Sequence, residues 1–354
     1  MGIFVSYHIV SIDAPNCSLS CRDGQLTCRT DEGERRLPLE DVAAIIITSF
    51  SASIHSHLFL EAAKHGVALI ICEAFKPVSL VLPANRSTDT LLSRAVLALE
   101  PRVRTTLWRR TVDAKCQNQA TLAACLAPED EKAAAVRRAA ASRSEAKEAT
   151  CARQFWGVFG RALGQEGFRR EPGEPTGINA LLNYGYAVLL STVLQKLFAV
   201  GLDPTWGLSH APRERATPLA YDLMEPFRPC VDWRVWQWTR QHPDPAEWQV
   251  SKPYRGWVTG FVLERVGHLD FTLEIRGVIE GVIRSFRHAV MENAVRPYRP
   301  WQPQPGQWPP AAERGTGVAP VSNPLSRLVG PGQPEAGATP APPSSNPPGG
   351  PGSL

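Results

Sequence analysis

Asp222 and Glu225 lie three residues apart in YDLMEPFRP, residues 221 to 229. On a helix that spacing puts both carboxylates on one face. The end of a helix disfavours anions, because its last carbonyls carry partial negative charge. The repulsion between the pair is offset when a divalent ion sits between that face and further ligands. Two more residues are candidates for such ligands. Glu148 is followed by Ala152, Phe155, Trp156 and Phe159 at helical spacing, so its carboxylate falls on or beside the stripe that faces the core. A carboxylate there is costly unless paired, and the purely structural alternative is an ion pair with an arginine such as Arg153 or Arg228. His210 ends the turn-rich stretch GLDPTWGLSH and precedes Arg213 and Arg215. Its ordinary alternative is a solvated loop histidine. Two or three carboxylates and one imidazole make a hard site that suits Mg2+ or Mn2+, with the nitrogen donor tilting it toward Mn2+. Such sites bind substrate phosphates and activate an oxygen nucleophile.

These residues must be held by elements that the rest of the sequence outlines. The chain has 354 residues, 43% of them hydrophobic and 20% charged, enough for two domains and a sizeable core. Its net charge of +4 is compatible with nucleic acid without pointing to it. Eight cysteines in such a length do not make a disulfide scaffold, and Cys17, Cys21 and Cys28 lack paired zinc-site spacing. They read as reduced thiols of a cytoplasmic protein. The N-terminus MGIFVSYHIV has no basic leader region. It fits the loose pattern for myristoylation at Gly2, but Ile3, Val5 and Tyr7 alternate as in a first strand, the better reading. Residues 178 to 195 carry no charge, the lower limit for a membrane span. Asn179, Asn183 and Thr192 within them favour a buried core helix.

Residues 1–83 read as a β-rich domain. Asp23-Gly24 marks a hairpin, AAIIITS and VALIIC read as buried strands, and a helix ends at Gly66. Residues 84–100 form a connector and a first helix. Residues 101–296 take a helical period, with helices expected at 178 to 200, about 220 to 240 and 256 to 294. Pro226 and Pro229 are expected to stop the helix that carries the acidic pair. Residues 297–354 hold half of the 32 prolines and read as a disordered tail, with Trp301 and Trp308 as residues that could dock. The fold class expected is α+β: a small N-terminal β-rich domain followed by a larger all-α domain.

Four stretches together resemble the CRISPR-associated Cas1 family, in its type II version. They are EATCARQFW (148–156), INALLNYGYAVLLS (178–191), GLSH (207–210) and LAYDLMEPFRPCVD (219–232). The resemblance implies a metal-dependent DNA endonuclease and integrase that inserts spacer fragments into a CRISPR array. It places the metal ligands and catalytic residues at Glu148, His210 and Glu225, with Asp222 beside the metal. Glu145 is a rival for the first position, but the offsets of Arg153 and the aromatic pair favour Glu148. Arg213, Arg215 and Arg228 are candidate DNA contacts, and Arg102, Arg104, Arg109 and Arg110 could follow a DNA backbone. The implied partners are DNA, a second copy through the β domain, and Cas2. Type II systems add Cas9 and Csn2, to which no residue here points, and no membrane is implied. A nuclease that does not integrate, or a non-catalytic DNA-binding subunit, would share much of the same sequence.

Overall fold

A computed structural model describes residues 8–73, 76–81, 90–209, 217–304 and 306–309. The β-rich region holds two four-stranded sheets. One has the order β1 (His8–Ile12), β5 (Val42–Ile47), β7 (Ala68–Glu73), β8 (Lys76–Val81), with β1, β5 and β7 parallel and β8 antiparallel to β7. The other has the order β4 (Gly33–Pro38), β3 (Gln25–Thr30), β2 (Ser18–Arg22), β6 (Ser53–Ile54). The β2–β3 hairpin turns at Asp23 and Gly24, both at positive φ, which is what a two-residue turn of right-handed strands requires. The expected strand at Ile3 to Tyr7 lies outside the described residues.

Alternation along β5 explains how the two parts of the chain join. Ile45 and Ile47 point to a core shared with Leu19, Leu26 and the helix α1 (Ser56–Lys64). Ile46 points the other way, as do Ile70 and Cys72 of β7, into the core of the helical region. A strand buried on both faces reads as a continuous apolar run, and that is why AAIIITS shows no polar alternation.

The helical region begins with α2 (Thr90–Leu97), α3 (Pro101–Leu126), α4 (Glu131–Ala141) and α5 (Lys147–Ala162). Then come α6 (Gly177–Ala199), α7 (Pro218–Met224), α8 (Arg228–Gln241) and α9 (Lys252–Thr259). The two-stranded hairpin β9 (Arg265–His268) and β10 (Phe271–Glu274) precedes α10 (Ile275–Met291). The apolar helix α6 passes through the middle, between β5, β7 and β8 and the helices α7, α8, α9 and α10. It is long and apolar enough to cross a membrane, yet most of it is enclosed by protein. Its asparagines are occupied: Asn179 and Asn183 accept from Arg170, at 3.0 and 2.5 Å. Gly185 lets α8 approach, since a Cβ there would lie 2.5 Å from Val231.

Three sequence expectations need correction. The helix expected over 256 to 294 is broken by the β9–β10 hairpin, whose turn uses a positive φ at Leu269. Pro226 and Pro229 do not end the helical path. α7 tightens into one 3-10 turn, Glu225–Phe227, and α8 starts at once with Pro229 in its first turn. A proline in a first turn loses no hydrogen bond, because the N–H there is unpartnered within the helix anyway. The start of the expected tail, residues 297–304 and 306–309, packs on the helical region, with Trp301 and Trp308 docked as the sequence allowed. Tyr298, Trp301 and Trp308 are buried, and Arg110 donates to the carbonyls of Val295 and Tyr298 at 2.9 and 3.2 Å. Arg110 is therefore a structural clamp rather than a free contact for a DNA backbone.

Candidate metal and nucleic-acid site

Glu148 sits in the first turn of α5, where the helix dipole favours a negative charge. Glu225 occupies the 3-10 turn between α7 and α8. It lies at the end of one helix but immediately before another, so the unfavourable end of α7 is offset by the favourable start of α8. The two carboxylates are 77 residues apart in sequence and meet on one cation. The Lys115 ammonium lies 2.7 Å from Oε1 of Glu148 and 2.6 Å from Oε2 of Glu225. The second oxygen of Glu225 faces Nε of Arg228 at 3.2 Å. The Glu225 side chain is 5% exposed and that of Glu148 37%, so the site has one closed and one open side. Burial alone would lower the pKa of Lys115, but Glu225 and Glu148 together hold it above its ordinary value. Lysine is thus a full cation here.

The ion-pair partner of Glu148 is Lys115, rather than Arg153 or Arg228 of the structural alternative, and Arg228 braces the carboxylate of Glu225, a task its place beside the acidic pair suited it for. Behind Arg228 the arrangement continues inward. Its guanidinium lies 4.7 Å from the ring centroid of Tyr186, with that of Arg170 5.4 Å from the same ring. The Tyr186 hydroxyl donates to Asp232. Burial pushes the Asp232 carboxyl up to about 7, against the opposing pull of the Tyr186 hydrogen bond and of Arg228 and Arg170.

Asp222 is fully buried. Its Oδ2 accepts from the backbone N–H of Leu208 at 2.5 Å and of Ser209 at 3.2 Å. It anchors the end of the GLS segment, one residue before His210. Spacing suggested an acidic face shared by Asp222 and Glu225; among the described residues Asp222 meets these backbone N–H groups and Glu225 meets Lys115 and Arg228. His210, Arg213 and Arg215 lie outside the described residues.

Sequence reasoning missed Lys115. Its signal was present: Leu107, Thr111, Ala114, Asn118 and Leu122 mark the buried side of α3, and Lys115 falls among them at helical spacing. Asn118, one turn on, donates to the carbonyls of Pro226 and Trp301 at 2.8 and 3.1 Å. Trp301 stacks on Phe227 with ring planes 4° apart. The turn carrying Glu225 is therefore gripped from α3 on one side and on the other from a C-terminal strap, residues 297–304.

The two glutamates already converge on a stand-in cation, and carboxylates are the donors that Mg2+ and Mn2+ prefer. The residues fit a divalent ion as far as these two ligands. Fold and site together define an α+β protein with a helical acidic centre next to a double-sheet region. A sequence model of the family described as CRISPR associated protein Cas1 matches residues 10–243, well over half of the chain, and the chain belongs to that family. A CRISPR-associated endonuclease Cas1 of Neisseria meningitidis serogroup C is 32% identical over 222 residues, 61% of this chain and 71% of the relative. One from Korarchaeum cryptofilum is 26% identical over 269 residues, 66% of this chain and 78% of the relative. Among solved structures, a casposase bound to integration product matches with a TM-score of 0.68 at 20% identity, over 81% of this chain and 91% of that one. A Cas1 protein from Thermotoga maritima matches with a TM-score of 0.65 at 14% identity, over 81% and 96%. A chain of a Cas6-RT-Cas1–Cas2 complex matches at 0.66 and 14%, over 85% of this chain and 37% of that one. At these identities the solved structures speak to the fold.

Proposed function

We propose that this protein is a metal-dependent DNA endonuclease and integrase of CRISPR adaptation, working with Cas2. The observation that carries the reading is the convergence of Glu148 and Glu225 on one cationic point, open to solvent on the Glu148 side. The related proteins named as endonucleases and the casposase bound to integration product support the reaction class. In that reaction the 3′-oxygen of a DNA fragment bonds to a repeat phosphorus. The bond from that phosphorus to its original 3′-oxygen breaks, and the leaving oxygen takes up a proton. Glu148, His210 and Glu225 would hold Mg2+ or Mn2+, and the ion would supply a lowered pKa for the attacking hydroxyl and an offset to charge on the phosphate.

The chain's own residues prepare the site. Arg228 fixes one oxygen of Glu225, leaving the other to face the cation. Asp222 holds the backbone that leads to His210. Arg213 and Arg215 contact phosphates, as does the exposed part of Arg228. We propose further that the protein dimerises through its β-rich region in the cytoplasm, bridged to a second dimer by Cas2, and that it belongs to a type II system.

The test is strand transfer with labelled fragments and a supercoiled repeat plasmid, with and without Cas2, in Mn2+ and in Mg2+. Wild type should give joined product, and Glu225→Gln and His210→Ala should each reduce it by about 100-fold or more. Nicked but never joined DNA would replace integration with simple hydrolysis. Joined product at wild-type level from Glu225→Gln would remove the site.

A further inference from the structure

Lys115 has no part in the function proposed above, yet it occupies the centre of the site. Its side chain is 11% exposed, and its nitrogen lies between the two carboxylates that would ligate the metal. A magnesium ion held by the same oxygens would sit about 2.0–2.1 Å from each. The ammonium nitrogen, at 2.7 and 2.6 Å, fills nearly the same point. Two cations cannot share it, since their repulsion grows as the inverse of their separation and is weakly screened where Glu225 is buried.

We propose that Lys115 is a resident counter-cation: it holds Glu148 and Glu225 together in the metal-free protein, and the metal must displace it to bind. This rests on the metal reading above. Without such a cation the two carboxylates would repel and the turn at Glu225 would bury an uncompensated charge. With it, the acidic pair is assembled in advance and a weakly held ion is excluded. The lysine stem is flexible while its backbone is not: α3 is tied to the turn at Glu225 through Asn118. The ammonium can therefore swing toward the open side, past Glu148, without moving the helix. There it becomes a donor for a phosphate oxygen, so metal entry and readiness for substrate are one event.

Binding of Mn2+ alone, followed by the loss of the free-ion paramagnetic resonance signal, tests this without DNA. Lys115→Met keeps most of the unbranched side chain and removes the charge. It should bind Mn2+ about 10-fold tighter than wild type or better, and Glu225→Gln should abolish that binding. Lys147→Met removes another lysine of this interface, paired with Asp113 at 2.6 Å, and controls for net charge. Its Mn2+ affinity should stay within about twofold of wild type. Equal or weaker binding in Lys115→Met, with wild-type binding intact, overturns the displacement while leaving the metal site standing. An equal gain in Lys147→Met overturns it as well, by showing a general charge effect. No Glu225-dependent binding in any of them ends the metal reading itself.

The wild-type protein supplies a second measurement that needs no variant to fold. Acetic anhydride labelling read by mass spectrometry should find Lys115 protected without metal and several-fold more reactive in saturating Mg2+. Unchanged protection of Lys115 at an Mg2+ concentration that saturates the site overturns the proposal.

Discussion

At the scale of single residues, similar chemistry does different work according to what surrounds it. Glu225 and Asp222 are both buried carboxylates on the same short stretch, but one faces a cation and the other backbone N–H groups. Hydrogen bonds to a charged acceptor are worth about 1.5–3 kcal/mol each. Asp222→Asn should therefore keep the fold but loosen the GLS segment. Hydrogen exchange at the Leu208 and Ser209 amides should rise, and strand transfer should fall because His210 follows directly. Unchanged exchange there would show that the loop is held by other contacts. Asp232 gives a pH prediction of definite sign. Its carboxyl is raised from an ordinary 3.8 to about 7, so the folded state holds a proton that the unfolded state has released. Its contribution to stability is complete below pH about 4 and is lost as pH rises through 7. The Tm of wild type should fall between about pH 5 and 8 more steeply than that of Asp232→Asn, in the same buffers. Parallel slopes would mean that Arg228 and Arg170 keep the carboxylate ionised.

At the scale of elements, the site depends on how α3, α5 and the α7–α8 turn are clamped. α3 contributes Lys115 to the acidic pair, Asn118 to the turn and Arg110 to the strap, all from its inner side. The strap returns the grip: Trp301 stacks on Phe227 and donates its indole N–H to Gly267 at 3.0 Å. Trp301→Ala should cost about 3–5 kcal/mol, in the usual range for a buried tryptophan. It should also weaken Mn2+ binding, because Phe227 is two residues from Glu225. A chain ending at Arg296 should show the same two defects, since it also lacks Tyr298 and Trp308. Melting and Mn2+ titration of both variants check this, and wild-type values in either would refute the clamp. A proline-rich composition marks where the chain cannot form helix or strand. Trp301 and Trp308 stood out in it as residues that could dock, but it did not show where they would dock. The β9–β10 hairpin was missed for a related reason, since its eight strand residues sit between helical patterns and too few alternate to shift the period.

At the scale of the whole molecule, the β-rich and helical regions share a core. Ile46, Ile70 and Cys72 are covered by α6 and its neighbours, so the first sheet needs no second copy of the chain to hide that face. Residues 1–83 expressed alone should expose these side chains and form aggregates or non-native oligomers, as seen by size-exclusion chromatography. A soluble, cooperatively folding fragment would mean that the shared core is dispensable. Much of this molecule was legible in the sequence. Short continuous apolar runs marked the buried strands, Asp23-Gly24 marked the hairpin turn, the charge-free run marked α6, and the spacing around Glu148 put a carboxylate at the edge of a core. Each of those features is local, set within a few residues by backbone geometry or by period. Which cation meets Glu148, which backbone groups meet Asp222, and that the helical path runs on through Pro226 and Pro229 by a 3-10 turn were decided only by tertiary structure. Glu148, Lys115 and Glu225 are far apart along the chain, and no local rule acts between them. They meet because α3, α5 and the α7–α8 turn each bury an apolar face against a common core, and the place where those faces converge chooses the partners.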